Sequence, residues 1–338
     1  MPTVSVLMPC YNMAATMDET LSTIANQTLE DFEVVAVDDG STDETPQILS
    51  HWAAKDPRVR HLSRPHGGII PALNAGVEAC QAPLVARMDA DDHMHPKRLQ
   101  AQVDFLAANP EVALVSSLVR GFPAGRLRKG FKIYIEWLNS LTTHEAMLRE
   151  IYVESPLCHP SVTFRKSAVI ELGGYQERGW AEDYDLWLRM AQSGYTFAKI
   201  PEDLLEWREH SNRLTRTDSR YSLENFIRAK GHYLAKGPLQ DRDGVFIWGA
   251  GMHGRRLSKH LMRAGVKVVA FIDIDPKKIG RTRRGRPIIA PDDLMDRWRE
   301  QSSPALLAAV GSRGARPLIR QQLSALGLKE GRDWWAAA

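Results

Sequence analysis

The stretch Leu84-Val85-Ala86-Arg87-Met88-Asp89-Ala90-Asp91-Asp92 decides the fold. Residues 84–88 predict a strand, and the chain leaves that strand directly on an Asp-x-Asp turn. Working back towards the N-terminus, β-branched runs at residues 4–8, 32–37 and 59–62 predict three more strands. Amphipathic stretches at 17–26, 44–54, 69–79 and 97–108 predict helices between and after them. This alternation is the pattern of βαβ units on a largely parallel sheet. Ligands of such sheets bind at the carboxyl ends of the strands, where the acidic turn sits.

Beyond residue 113 the pattern is mixed, with helices predicted at 136–151 and 183–192 and an extended segment at 204–210. A helical segment over 221–235 runs into Lys236-Gly237-Pro238, which places a domain boundary there and gives domains 1–238 and 239–338. The second part predicts strands at 245–248, 268–272 and 306–310 and helices at 255–264 and 316–326, a small Rossmann-like α/β lobe.

At 338 residues, 43% hydrophobic and 25% charged, the chain has the composition of a folded globular protein and excludes disordered, collagenous and transmembrane classes. Three cysteines without C-x-x-C spacing support neither a disulfide framework nor a zinc knuckle. With no long apolar run and no signal-like N-terminus, the expected location is the cytoplasm. The net charge of +3 is a cancellation: residues 1–238 carry −6 and residues 239–338 carry +9. Six of the positive charges fall at Lys277, Lys278, Arg281, Arg283, Arg284 and Arg286. Such a run is either a solvated loop or a surface for a polyanion.

Three acidic clusters carry the chemistry. In Val37-Asp38-Asp39-Gly40-Ser41-Thr42-Asp43-Glu44, helix capping by Ser41 or Thr42 accounts for the later residues but not for the adjacent carboxylates, one of which could accept the imide hydrogen of a pyrimidine base. Asp89-Ala90-Asp91 can present two carboxylates to one Mg²⁺ or Mn²⁺, cations that bind substrate phosphates. In Glu182-Asp183-Tyr184-Asp185, acidic residues suit a helix start, yet three exceed what capping requires, and one could act as general base.

Together, residues 4–12, 37–43, 89–92 and 182–188 resemble the family 2 nucleotide-sugar glycosyltransferases of GT-A fold. That resemblance implies a metal-dependent, inverting transfer from a UDP-sugar donor. It implies that Pro9, Tyr11 and Asp39 line the nucleobase and ribose pocket, with Asn12 and Asn74 counted among the donor-binding residues. Asp89 and Asp91 would form the metal element, with Asp91 the direct ligand. Asp183, flanked by Glu182, corresponds to the base, and Arg208-Glu209-His210 to an Arg-x-His element near the diphosphate or metal. Where the family often has a basic residue before Asn74, this chain has Leu73, and Arg64 is a substitute contact.

In the C-terminal lobe, Gly249-Ala250-Gly251-Met252-His253-Gly254 with Asp273 about twenty residues on matches a dinucleotide fingerprint, which alone would argue for a redox or sensor protein. The lobe is only half the usual dinucleotide fold, so a structural or binding role is favoured. Over nearly the whole chain the architecture is similar to the tRNA-queuosine galactosyltransferases, which implies a queuosine acceptor in tRNA held by the basic lobe. The alternative acceptor is a surface polysaccharide or glycolipid.

Overall fold

The computed structural model describes all 338 residues. The chain divides into two compact units: residues 1–147, 156–178 and 182–213, and residues 148–155, 179–181 and 214–338.

The first unit runs β1 (Val4–Cys10), α1 (Ala14–Ala25), β2 (Phe32–Asp38), α2 (Thr45–Lys55), β3 (Val59–Ser63), α3 (Ile69–Ala79), β4 (Leu84–Arg87), β5 (His93–Met94), α4 (Arg98–Ala108) and β6 (Val112–Phe122). It continues through α5 (Lys129–Ser140), α6 (His144–Glu150, whose end enters the second unit), β7 (Thr163–Arg165), α7 (Lys166–Glu171), α8 (Glu182–Gln192) and β8 (Thr196–Arg208). The sheet order is β3-β2-β1-β4-β7-β6-β8-β5. Strands β3, β2, β1 and β4 are mutually parallel, as expected. β7 is antiparallel to both neighbours. This is the mostly parallel α/β sheet of the GT-A class.

β1 and β2 are buried along their whole length, because helices cover both faces of the sheet. One polar tie crosses β1, β2 and β3. The buried Glu33 carboxylate accepts from Ser5 Oγ at 2.6 Å, from the Gln81 amide at 2.6 Å, and from Arg60 at 2.6 Å.

The single helix expected over 136–151 is two. The first ends at Ser140, and Thr143 Oγ1 accepts the Ala146 amide at 3.2 Å, starting a new helix with its own cap. Extended structure around 204–210 is the end of the longer β8, which pairs with β6 from its first residue.

The second unit contains α9 (Leu214–Thr217), α10 (Leu223–Lys236), β9 (Gly244–Trp248), α11 (Met252–Arg263), β10 (Val268–Ile272), β11 (Thr282–Arg283), β12 (Arg286–Ile289), α12 (Leu294–Arg299), β13 (Pro304–Ala308), α13 (Ala315–Ala325) and β14 (Trp334–Ala336). Its sheet order is β11-β12-β10-β9-β13-β14, parallel except for the β11–β12 hairpin. Gly254 is where α11 meets β9: a Cβ there would lie 1.9 Å from the Gly249 carbonyl oxygen. Asp273, the acid of the dinucleotide-type fingerprint, is buried on Ala250 N at 3.0 Å and Lys278 Nζ at 3.1 Å. Segment 148–155 is fastened here through Glu150, which pairs with Arg316 at 2.7 Å and Arg320 at 2.5 Å. No helix is long and apolar enough to cross a membrane.

Candidate active site

Parallel pairing places Cys10 opposite Asp38, so the chain leaves β1 and β2 at the same sheet edge. The two exit segments are sewn together. Asn12 sits at φ 54, its N–H donates to Ser41 Oγ at 2.8 Å, and its Oδ1 accepts Thr42 N–H at 2.8 Å. Ser41 and Thr42 therefore do not cap α2. Glu44 holds the N-cap position, and Asp43 accepts the Thr45 N–H at 3.0 Å and the Ala14 N–H at 3.1 Å.

Asp39 is buried, and its carboxylate gathers donors from the loop after β3: Gly68 N at 2.7 Å, Gly67 N at 3.2 Å, His66 Nδ1 at 2.9 Å, and the Arg64 guanidinium. Gly40, at φ 75, permits this closeness, since a Cβ there would stand 2.7 Å from His66 N. The half-exposed Tyr11 ring stacks on His66 with centroids 4.2 Å apart. Pro9 lies within β1 just before these residues. The arrangement offers an aromatic face beside a carboxylate, the two elements a heterocyclic base with N–H donors requires.

At the end of β4, carboxylate oxygens of Asp89, Asp91 and Asp92 all lie within 4.8 Å of one another. Each has a distinct partner. Asp89 pairs with the buried Arg87 guanidinium, Asp91 Oδ2 lies 2.7 Å from His210 Nε2, and Asp92 Oδ1 accepts the Arg208 N–H at 2.7 Å. Asp92 Oδ2 is buried with no protein donor. Burial, together with the charges of Asp91 and Asp89, pushes the Asp92 carboxyl well above the ordinary range. Three clustered carboxylates with an orphaned buried oxygen fit a hard divalent cation, which would favour the ionised forms. Asp92 was not singled out beyond the Asp-x-Asp pair in sequence; its signal is the third carboxylate of an Asp-x-Asp-Asp turn. Helix α1 braces that turn, with Thr16 Oγ1 donating to the Ala90 carbonyl and Thr20 Oγ1 to the Asp92 carbonyl, both at 3.0 Å.

Arg208 is part of this brace. Its guanidinium binds the Asp91 carbonyl, reaches Glu19 at 2.6 Å, and packs over Phe122 at 4.4 Å. Asn74 is likewise engaged by protein, with both ends of its amide on the Tyr175 backbone at 2.9 Å. Leu73 is fully buried in α3, which explains why no basic residue stands there; Arg64 lies instead on Asp39.

The acidic start of α8 separates into roles. Asp185 is fully buried and locked by Arg189 at 2.7 Å, an i,i+4 pair, with Arg178 at 3.5 Å. Glu182 is 1% exposed. Asp183 alone of the three is partly exposed, and one of its oxygens accepts the Tyr184 N–H at 2.7 Å. Buried Arg87, paired with Asp89 of the cluster, also feels the charge of Glu182 at this helix start. Burial opposes its charge, but Asp89, with Tyr175 and Glu182, outweighs it and holds the guanidinium above its ordinary range.

The family model described as Glycosyl transferase family 2 matches residues 5–173, and a second, C2185-like, N-terminal, matches residues 242–297. The amylovoran biosynthesis glycosyltransferase AmsE of Erwinia amylovora is 32% identical over 215 residues, 63% of this chain and 78% of its own. The UDP-Gal:alpha-D-GlcNAc-diphosphoundecaprenol beta-1,3-galactosyltransferase of Escherichia coli is 28% identical over 248 residues, 72% and 88% of the two chains. Among solved structures, S. aureus TarS 1-349 in complex with UDP-GlcNAc aligns with a TM-score of 0.57 at 19% identity, covering 78% of this chain and 72% of that one, a likeness of fold. With the family model matching half of the chain and the fold shared with solved glycosyltransferase structures, the chain belongs to glycosyl transferase family 2 and is a glycosyltransferase.

Proposed function

We propose that the protein moves a hexose from a UDP-sugar to a hydroxyl of a carbohydrate acceptor in polysaccharide or O-antigen type assembly, inverting the anomeric carbon in one displacement. The observation that carries this reading is the Asp89-Asp91-Asp92 cluster with its orphaned buried Asp92 oxygen, in the same unit as the partly exposed Asp183. Support for the acceptor class comes from relatives named for amylovoran synthesis and for a diphosphoundecaprenol-linked sugar. These relatives move the acceptor away from the queuosine of tRNA, an expectation that the comparisons leave unsupported and that stands on whole-chain likeness and positive charge.

Asp183 takes the proton from the acceptor hydroxyl as its oxygen bonds to the anomeric carbon. The bond from that carbon to the diphosphate oxygen breaks with its electron pair, and UDP leaves. Asp89, Asp91 and Asp92, with His210 orienting Asp91, would hold a Mg²⁺ or Mn²⁺ whose charge offsets that of the departing diphosphate. Tyr11 stacks the base, while Asp39 receives its N–H once the 64–68 loop yields. Arg87 pairs with Asp89 and offsets its charge beside the cluster.

The test is purified full-length protein with Mn²⁺ or Mg²⁺, a panel of UDP-sugars, and three acceptors: polyprenyl-diphosphate-linked N-acetylglucosamine, free oligosaccharides, and queuosine-containing tRNA. Glycosylated lipid or oligosaccharide is the expected product. Transfer confined to tRNA would overturn the acceptor, and no turnover of any nucleotide sugar would overturn the reaction.

A further inference from the structure

Helix α11 carries Met252, Arg255, Lys259, Met262 and Arg263 at spacings that put them along one face. The β11–β12 hairpin lies against this helix, with Arg284 donating from Nε to the Arg255 carbonyl at 3.1 Å. Between them opens a groove of about 530 Å³ lined by Lys259, Met262, Arg263 and Arg284. Arg284 and Gly285 turn the hairpin at φ 50 and 72, and a left-handed arginine costs backbone energy that asparagine or glycine there would avoid. What it delivers is a guanidinium at the groove.

The charges here are unbalanced. Lys259 shares Glu224 with Arg256 and His260, at 3.2, 3.8 and 2.9 Å respectively. Arg255, Arg263, Arg281, Arg284 and Arg286 are exposed, and none forms an ion pair with a carboxylate. Arg263 and Arg284 at the groove, with Arg255, Arg281 and Arg286 on the same helix and hairpin segment, leave an excess of positive charge that fits a polyanion.

Its apolar content selects which polyanion. A groove for single-stranded nucleic acid interleaves cations with aromatic rings for stacking, and no aromatic side chain lines this one. Met252 is 45% exposed on the same helix face, and Ile274 is 73% exposed just past β10, the strand paired in parallel with β9. Both therefore follow the carboxyl ends of neighbouring strands, on one sheet edge. Exposed aliphatic side chains beside lysines and arginines are the composition of a bilayer-interface surface.

We propose that this face of the C-terminal unit is a docking surface for an anionic lipid bilayer, with α11 and the β11–β12 hairpin at the headgroups and Met252 and Ile274 at the acyl boundary. Such docking does not depend on the chemistry proposed for the first unit.

The test is sedimentation of the full chain with vesicles of phosphatidylcholine alone and of phosphatidylcholine mixed equally with phosphatidylglycerol, with and without competing tRNA. Each cation at an anionic surface strengthens binding about fivefold. A variant combining Arg255→Gln, Arg263→Gln and Arg284→Gln is therefore expected to lose about a hundredfold in binding to the anionic vesicles, with its melting temperature unchanged. A second variant, Met252→Ser with Ile274→Ser, is expected to weaken binding while leaving its salt dependence intact. Equal binding to neutral vesicles, parental binding by the triple variant, or displacement from vesicles by tRNA with the same three arginines required would overturn the proposal. UDP-sugar turnover by either variant reports separately on the glycosyl-transfer reading.

Discussion

His210 Nε2 lies 2.7 Å from Asp91 Oδ2, joining residues 119 apart in sequence across the end of β8 and the turn after β4. The imidazole fixes which way that carboxylate faces, and orienting partners of a ligand carboxylate contribute strongly to metal affinity. His210→Ala is expected to raise the Mn²⁺ concentration for half-maximal activity about 10- to 100-fold while leaving the melting temperature of the metal-free protein nearly unchanged. A Mn²⁺ titration of activity checks it, and a parental midpoint would remove His210 from the site.

Glu33 makes stability depend on acid. Burial pushes its carboxyl up, but the Ser5 hydroxyl, the Gln81 N–H and Arg60 outweigh burial and hold it below the ordinary carboxylate range. A group depressed on folding stabilises above its unfolded value, near 4.5, and that contribution is lost as pH falls through the lower folded value. Glu33→Gln is expected to cost about 2 kcal/mol at neutral pH, since it leaves Arg60 without its carboxylate. The gap between variant and parent should close below pH ~4.5. Urea midpoints measured across pH would show the two curves converging; parallel curves would contradict the assignment.

Gly254→Ala drives a methyl group into the Gly249 carbonyl oxygen, 1.9 Å from where the Cβ must sit. Backbone cannot move aside as a side-chain tip can, so the C-terminal unit should lose about 3 kcal/mol or more. Hydrogen exchange over β9 and α11 reads this locally, and unchanged protection there would show that the helix can shift.

Arg87→Met should separate positioning from folding. The substitution leaves Asp89 without its cation, and kcat is expected to fall about 10- to 100-fold with a higher metal requirement. Arg87→Lys should restore part of that loss. An equal loss in both variants, with unchanged metal dependence, would make Arg87 merely a packing residue.

The parallel half of the first sheet was legible because each of β1 to β4 is a short apolar run separated from the next by a helix, and local periodicity records both. β7 was not, since three residues between a 3₁₀ turn and a helix carry no period, and their place beside β4 is set by pairing with distant strands. The break in the 136–151 segment turns on the Thr143 hydroxyl, a single cap that apolar spacing overlooks. In the site, Asp89, Asp91, Asp183 and His210 stood out by residue type and order. The division of labour at α8 did not, because it depends on which carboxylate Arg189 and Arg178 reach. Asp92 was not singled out in sequence; burial makes it distinctive.

Asp183→Asn tests the central claim most directly. Transfer and UDP-sugar binding are measured in parallel on the same preparation with Mn²⁺ and the active acceptor. Removing a general base costs about 10²- to 10⁴-fold in rate, so kcat should fall by that factor while donor affinity stays at the parental value. Transfer at the parental rate, with donor binding intact, would show that the proton leaves the acceptor by another route.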